Sequence, residues 1–300
     1  MKTSEVSPPG LVPGLVRALR RAADRLDRKV SPNGASSAAL EEYVIKAPSV
    51  QNAVDSLPGW NMALPPEAGA VAGVPVFFDD PRIHWAADQF GPFAGKSVVE
   101  LGPLEASHTY ILERRGPASL LAIESNRLSF FRCLVVKEAL DLKVARFQLG
   151  DFAQWLRQDL GRYDFIVASG VLYHMHDPIS VLERIAAKTD AVYIWTHYAS
   201  DEAMPEGDAR RMAFVGDPET VDFKGVQVRL RKRSYWGAWR DKAFCGGPYD
   251  LHRWIERDSL FALLRALGFD DLRFAHDEPN HKNGPSMSIF ARRTSGVVTI

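Results

Sequence analysis

The sequence lacks several features that would restrict its function. Among 300 residues there are two cysteines, Cys133 and Cys245, too few for a disulfide framework, so a reducing compartment is expected. No stretch approaches the roughly 18 apolar residues of a membrane-spanning helix. The first residues include serine, glutamate and two prolines where a signal peptide would need an apolar core. These absences predict a cytoplasmic protein without a membrane span.

An excess of charge of one sign is also lacking. The 37 basic residues are balanced by 37 acidic ones, which argues against a protein whose main task is general nucleic-acid binding. What the sequence does have is an ordinary apolar fraction of 46%, enough to bury a large core. Its length predicts two domains, or one domain with appendages.

Three regions differ in composition. Residues 1–40 hold a polar tail and an amphipathic helix with an arginine-rich face. That helix either packs on the domain or lies on an anionic membrane or RNA, and packing is the preferred interpretation. Residues 41–95 are rich in proline and predict a lead-in segment that caps a core, with Arg82 and Trp85 as candidates to cover a ligand. Residues 96–300 are predicted to form the main domain, with an inserted lid at about 199–250.

Short apolar segments alternate with helical segments between residues 96 and 198. The predicted strands are 97–101, 119–123, 144–148, 164–168 and 191–195. The predicted helices are 107–115, 126–140, 152–159 and one that Asp177 caps and Pro178 opens. A helix at 258–267 and two antiparallel strands at 272–274 and 287–290 end the fold. This order predicts an α/β fold with a doubly wound, mostly parallel sheet.

The turn after the first predicted strand carries the clearest chemical signal. Gly102 permits a tight turn and close approach of a ligand. Glu124 ends the second strand about 20 residues later, where a carboxylate accepts bonds from the ribose of an adenosine cofactor. Leu104 and Ala106 replace the further glycines of a dinucleotide-binding turn, and Glu105 adds a negative charge that would repel a pyrophosphate. S-adenosylmethionine, which has a sulfonium and no phosphate, therefore fits better than a nicotinamide dinucleotide.

Five segments, taken in order, resemble the motifs of class I S-adenosylmethionine-dependent methyltransferases over about residues 90–292. They are Glu100-Leu101-Gly102, Glu124, Gly150-Asp151-Phe152, the segment from Ala168 to His174 followed by Asp177-Pro178, and Trp254-Ile255 with Leu260 to Phe269. The stretch from Gly150 to Leu172 also looks loosely like the branch that modifies the wobble uridine of transfer RNA. The resemblance implies a seven-stranded sheet with an antiparallel last strand, and in-line transfer of a methyl group from sulfonium to a nucleophile.

The resemblance also implies a set of cofactor-binding residues. The candidates are Glu100, Gly102, His108, Glu124, Asn126, Asp151, Phe152, Ser169 and Gly170. Asp151 is expected to face the adenine amino group, with Phe152 against the ring. Glu100 is expected either to contact the cofactor or to be a strand-end acid held by backbone donors. His108 is a candidate to bond the methionine carboxylate.

His174 and His197 follow the fourth and fifth predicted strands, so both are expected to face the cleft at the carboxyl ends of the sheet. An imidazole can take a proton from an acceptor hydroxyl, which makes both histidines candidate general bases for O-methylation. The alternative for each is a structural histidine, and nitrogen or carbon acceptors stay open. No metal site is predicted around His174, because Asp177 is better used as a helix cap and a metal needs three or four converging ligands.

The inserted region contains a basic and aromatic segment from Arg229 to Trp239. Such a segment suits RNA or an anionic small molecule; the alternative is an edge strand protected by charge. Cys245 is predicted to be a buried thiol. The sequence as a whole predicts an enzyme that methylates a small-molecule acceptor. An RNA methyltransferase and a non-catalytic S-adenosylmethionine-binding module are the alternatives, and the sequence predicts neither the acceptor nor the oligomeric state.

Overall fold

The computed structural model describes residues 43–74, 78–159, 161–241 and 244–294. Contacts divide the chain into two units, Met1–Asn52 and Ala53–Ile300. The amphipathic helix expected within residues 1–40 lies outside the described residues and stays a prediction. The fold and the site described below belong to the second unit, except that the first helix begins at residues 50–52 of the first unit.

Helices and strands alternate through the first half of this unit. The helices are α1 (Val50–Asp55), α2 (Pro81–Phe90), α3 (Ser107–Glu113), α4 (Arg127–Ala139), α5 (Phe152–Trp155), α6 (Pro178–Lys188) and α7 (Arg257–Ala266). The strands are β1 (Ser97–Leu101), β2 (Ser119–Glu124), β3 (Ala145–Leu149), β4 (Phe165–Ser169), β5 (Ala191–His197), β6 (Glu219–Phe223), β7 (Val226–Ser234), β8 (Leu251–Ile255), β9 (Asp271–Glu278) and β10 (Ser286–Arg292).

The main sheet has seven strands in the order β3-β2-β1-β4-β5-β10-β9. Strands β1 to β5 are parallel, and β10 runs antiparallel to both of its neighbours. The predicted seven-stranded, mostly parallel sheet with an antiparallel last strand is confirmed. The chain moves outward from β1 to β3 and then returns to place β4 beside β1, so the carboxyl ends of β1 and β4 form the crevice where such sheets bind ligands.

Apolar side chains cover both faces of the sheet. In β1, Val99 and Leu101 pack with α6 and α7, whereas Val98 packs with α2, α3 and α4 on the other face. In β4, Ile166 packs on the same face as α6 and α7, and Phe165 packs on the face of α2, α3 and α4. Successive side chains in a strand point to opposite faces, so an unbroken apolar run is what a sheet covered on both sides requires.

Most predicted boundaries hold within two residues; the exceptions are the end of β9, at Glu278 and not at 274, and the end of α5. Helix α5 ends at Trp155 and not at 159. Beyond it, Arg157 and Gln158 donate to the carbonyls three residues back, so the chain tightens into 3₁₀-type turns. Helix α6 begins as predicted, with the Asp177 side chain accepting from Ser180 N–H and Pro178 in the first turn. Among the described residues, no helix is long and apolar enough to cross a membrane.

The inserted region forms a second, three-stranded sheet in the order β6-β7-β8. The basic segment lies on β7, which pairs with β6 on one side and β8 on the other. The prediction of an edge strand protected by charge is therefore wrong. Its charges instead form ion pairs across the sheet and with neighbouring loops: Arg229 with Glu256 (3.2 Å), Arg231 with Asp201 (3.0 Å) and Lys232 with Glu219 (2.7 Å).

Candidate active site

A cavity of about 1080 Å³ lies at the carboxyl ends of β1, β2, β4 and β5. Pockets for one drug-sized ligand measure about 300–1,000 Å³, so this cavity has room for a cofactor together with an acceptor. Eight of the predicted cofactor residues line it: Gly102, His108, Glu124, Asn126, Asp151, Phe152, Ser169 and Gly170. Both candidate bases, His174 and His197, line it as well.

The loop after β1 keeps the shape of a glycine-rich turn although it has one glycine. Gly102, Leu104 and Ala106 have positive φ angles of 67°, 54° and 60°, a conformation that costs a residue with a Cβ about 1–2 kcal/mol. A Cβ on Gly102 would lie 2.6 Å from Val171 Cγ1, so only glycine fits there. Leu104 N–H donates to Glu124 Oε2 at 3.0 Å, which ties this loop to the end of β2.

Glu105 does not face the cavity. Its carboxylate is fully buried, accepts from the N–H groups of Asn61 and Met62 at 2.8 Å, and pairs with Arg132 at 3.1 Å. The prediction that Glu105 repels phosphates is therefore wrong, because Arg132 balances its charge outside the ligand site. Glu105 instead holds residues 61–62 against the loop, and Asn61 and Met62 line the cavity.

The ends of β2 and β3 supply the acidic and aromatic groups expected for an adenosine. Glu124 is 7% exposed, and its Oε1 accepts from Asn126 N–H at 2.7 Å. Burial raises the pKa of Glu124, while the backbone donors oppose that change. Asn126 and Asp151 cap α4 and α5 by accepting from Ser129 and Ala153 N–H. Both residues therefore face the cavity at helix starts, where their place is fixed by capping.

Glu100 and His108 are placed differently from the prediction. Glu100 does not line the cavity; it accepts from Thr109 Oγ1 at 2.5 Å, and burial raises its pKa. The two ring nitrogens of His108 face Asp80 (3.1 Å) and Glu100 (3.9 Å). Since both nitrogens lie beside protein carboxylates, the geometry does not agree with His108 as the partner of a methionine carboxylate. Glu100 is held by a side-chain hydroxyl, and not by the backbone donors of the alternative interpretation.

Arg82 reaches the cavity from α2. It forms a two-pronged ion pair with Asp80, and its guanidinium lies 4.5 Å from the centroid of the Trp195 ring. Arg82 and His108 both favour the charged form of Asp80, whose pKa lies far below its usual value despite burial. Trp85, the other covering candidate, packs on Tyr193 instead (6.3 Å) and does not line the cavity.

His197 ends β5 with its ring orientation fixed. Its Nδ1 lies 2.8 Å from the Gly284 carbonyl and 3.2 Å from that of Pro285. Carbonyls only accept, so Nδ1 carries the hydrogen and Nε2 is the unprotonated nitrogen. The ring stacks on Trp254 with centroids 5.0 Å apart and planes 9° apart. Burial lowers the pKa of His197 to about 4, so it is neutral at pH 7.

His174 has a different partner. Its Nδ1 lies 2.5 Å from the hydroxyl of Tyr235, which accepts from Gly247 N–H at 3.0 Å. Burial, with His252, His197 and Arg233 adding to it, lowers the pKa of His174 to about 3. Because Gly247 belongs to the segment Phe244–Tyr249, which lines the cavity, this bond joins the end of β4 to the inserted region.

The sequence did not identify the residues that β9 and the β9–β10 loop add. His276, His281 and Lys282 line the cavity. His276 has a φ of 48° and lies at a register shift between β9 and β10, where a bulge redirects a side chain. The only sequence signal was a turn-rich stretch of proline, asparagine and glycine between two strands. Cys245 also lines the cavity and is exposed, so the prediction of a buried thiol is wrong.

A model of the family described as "Methyltransferase domain" matches residues 78–273, about two thirds of the chain. The chain belongs to the methyltransferase domain family. The predictions of a methyltransferase and of S-adenosylmethionine as its cofactor are thereby confirmed. No group of three or more histidine, cysteine, aspartate or glutamate side chains in the described part of this methyltransferase has the arrangement of a metal site.

Solved structures share the fold of this chain. The N-terminal domain of EvdMO1 with S-adenosylhomocysteine bound is 24% identical, with a TM-score of 0.62, and the alignment covers 81% of this chain and 95% of that domain. A longer structure of EvdMO1 is 20% identical, with a TM-score of 0.54, over 81% of this chain and 47% of that one, so this chain spans about half the length of that one. A likeness at this identity concerns the fold. A search of curated proteins found no match, and the transfer-RNA branch resemblance is not shown.

Proposed function

We propose that this methyltransferase transfers the methyl group to an oxygen of a small-molecule acceptor, with His197 as the general base. The observation that carries the proposal is the tautomer of the neutral His197 ring, which has its hydrogen on Nδ1. The two carbonyls at Nδ1 leave Nε2 free to take a proton, and its lowered pKa keeps the ring neutral at pH 7. A neutral imidazole at the strand end next to a methyl donor suits an acceptor hydroxyl, which must lose its proton as the methyl group arrives.

The cofactor is assigned to the half of the cavity over β1, β2 and β3. The buried Glu124 carboxylate would accept from the ribose hydroxyls and Asp151 from the adenine amino group, with Phe152 against the ring. Gly102 lines this half, and a Cβ there would lie 2.6 Å from Val171 Cγ1. Bound there, S-adenosylmethionine supplies an electrophilic methyl group, while the protein orients the acceptor for in-line attack.

His174 is assigned a second role, that of a donor to the acceptor. If the Tyr235 hydroxyl donates a hydrogen bond to His174 Nδ1, that nitrogen carries no hydrogen and the imidazole N–H is on Nε2. His174 would then orient an acceptor oxygen, while His197 removes its proton. The two rings would then have opposite tautomers: Nε2 of His197 accepts a proton, whereas Nε2–H of His174 donates a hydrogen bond.

Two further observations support a small acceptor. The cavity has limited space beyond a cofactor (about 1080 Å³ in total). The basic strand β7, which would be the candidate RNA surface, has most of its charges in ion pairs with carboxylates, which weakens its attraction for phosphates.

A panel of hydroxylated small molecules, assayed for S-adenosylhomocysteine formation, tests this proposal. For any acceptor found, His197→Gln should lower kcat about 10²-fold or more without changing the affinity for S-adenosylmethionine. His174→Gln should mainly raise KM. His84→Gln, a histidine on α2 paired with Asp79, is the matched control. An unchanged kcat in His197→Gln would contradict the base, and methylation of transfer RNA with salt-dependent binding would favour the RNA alternative.

A further inference from the structure

Arg233 differs from the other basic residues of β7. It is half-buried, its Nε is fully enclosed without a hydrogen-bond partner, and no carboxylate of the described residues forms an ion pair with it. Arg229, Arg231 and Lys232 on the same strand each have such a partner. Cations withdrawn from water are usually paired, so an unpaired guanidinium here needs an explanation.

Aromatic rings hold Arg233 in place without neutralising it. Its guanidinium carbon lies 3.9 Å from the centroid of the Trp254 ring and 5.4 Å from that of Phe214. Stacking of this kind orients a cation but does not neutralise its charge. Burial lowers the pKa of Arg233 to about 10, so it is still charged at pH 7.

Arg233 is close enough to the proposed base for its charge to add to burial in lowering the pKa of His197. Trp254, on which Arg233 stacks, also stacks on His197, although Arg233 does not itself line the cavity. On the cavity side of His197, the His281 ring lies 5.0 Å away. Lys282 follows in the chain, lines the cavity and is exposed.

The carboxylates around His197 either have an ion-pair or hydrogen-bond partner already or face solvent. Asp80 pairs with Arg82 and His108, Asp201 pairs with Arg231, and Asp250 accepts from Ser234 and Tyr235. Glu278 lines the cavity but is exposed to water. Lys282 and Glu278 are both open to water, so the enclosed cation near His197 that no carboxylate of the described residues pairs with is Arg233.

We infer that the methyl acceptor carries an acidic group, a carboxylate or a phosphate, which supplies the negative charge that Lys282 and the nearby Arg233 lack. This inference rests on the proposed function. An anion near an imidazole favours its protonated form. Binding of an acidic acceptor would thus raise the pKa of His197 from its low value in the free protein toward the range where a general base works best. Only the correct class of acceptor would make His197 an effective base.

Histidine titration by NMR tests the inference on the full chain without knowledge of the acceptor. Inorganic phosphate and acetate are the probes, each compared with sodium chloride at the same ionic strength. We expect one of them to raise the pKa of His197 by about one unit or more and to raise Tm. Arg233→Met should lose most of this response, whereas Arg233→Lys should keep much of it. Arg229→Met, which removes a paired cation from the same strand, should respond like the wild type.

Each result decides a separate question. A stronger response to phosphate than to acetate assigns a phosphate group, and the reverse assigns a carboxylate. The inference is overturned if neither anion exceeds chloride, or if Arg233→Met and Lys282→Met both respond like the wild type. The titration requires neither S-adenosylmethionine nor turnover, so its failure would leave the proposed methyl transfer untouched. Methylation of neutral acceptors as readily as of acidic ones would likewise overturn the inference alone.

Discussion

Glu105 and Arg132 form an ion pair at 3.1 Å with side chains 0% and 2% exposed. The pair stabilises the loop whose Leu104 and Ala106 hold left-handed conformations. Strained residues of this kind persist only where their surroundings hold them, and here the surroundings are the backbone N–H groups of Asn61 and Met62 as well as Arg132. The shape of the loop depends on Glu105 and not on added glycines.

Arg132→Met would leave Glu105 buried without its cation. We expect the free energy of unfolding to fall by about 3–5 kcal/mol, measured by urea titration, and the double variant with Glu105→Gln to regain part of that loss. Arg162→Met removes an ion pair whose side chains are 48% exposed, and should cost less than about 1 kcal/mol. Equal losses in the two single variants would contradict the role assigned to the buried pair.

At the scale of elements, the segment Phe244–Tyr249 is joined to the end of β4 through Tyr235. Its hydroxyl contacts both His174 and Gly247, and a Cβ on Gly247 would lie 2.6 Å from the His174 carbonyl oxygen. The inserted region therefore reaches the cavity wall through a close backbone contact and one shared hydroxyl. The proposal that residues 199–250 act as a lid depends on this connection.

Tyr235→Phe should release this segment without unfolding the domain. We expect amide hydrogen exchange to become faster across residues 244–249 and KM for the acceptor to rise, because two hydrogen bonds of about 1 kcal/mol each are lost. Tyr163→Phe, at a tyrosine near the far ends of the strands, is the control and should leave both unchanged. Exchange in residues 244–249 as slow as in the wild type would show that the segment is held by other contacts.

Elements can be predicted from the sequence where the residues that specify them lie within or next to the element itself. Asp177 and Pro178 mark the start of α6, and the apolar run from Ser97 to Leu101 marks β1. Strand β7 was misjudged because pairing on both sides is decided by residues as distant as Glu219 and Arg253. Cavity residues at strand ends, such as Glu124 and His197, could be predicted by the same local logic. His276 and Lys282 could not, since they reach the cavity from a bulge and from a loop far along the chain.

For the whole molecule, neutral buried histidines make the free energy of unfolding depend on pH. His197 and His252 are 4% and 3% exposed, and burial lowers the pKa of each to about 4. A folded-state pKa below the unfolded value of about 6.5 means that the unfolded chain binds more protons between these values. The contribution of these two histidines to the free energy of unfolding is thus fully present above about pH 6.5 and is lost as pH falls toward 4.

The free energy of unfolding, measured by urea titration, should therefore be lower at pH 5 than at pH 7 by on the order of 2 kcal/mol for each of these two histidines. The paired carboxylates Asp80 and Glu219, whose pKa values are lowered, stabilise the fold at both pH values and lose that contribution only as pH falls below about 4. His252→Gln should reduce the difference between the two pH values, and Lys143→Gln at the surface should not. A free energy of unfolding that stays constant from pH 7 to pH 5 would contradict the neutral buried state.

Calorimetry with S-adenosylhomocysteine tests most directly the central claim that the cavity at the ends of β1 and β2 holds the cofactor. The wild type should bind one equivalent, and Glu124→Gln should bind about 10-fold to 100-fold more weakly, because a charged acceptor of ribose hydrogen bonds is lost. Glu113→Gln is the matched control: Glu113 also accepts from two backbone N–H groups, those of Lys143 and Ala145, but lies outside the cavity. Absence of binding to the wild type, or equal affinities for the wild type and Glu124→Gln, would contradict the claim.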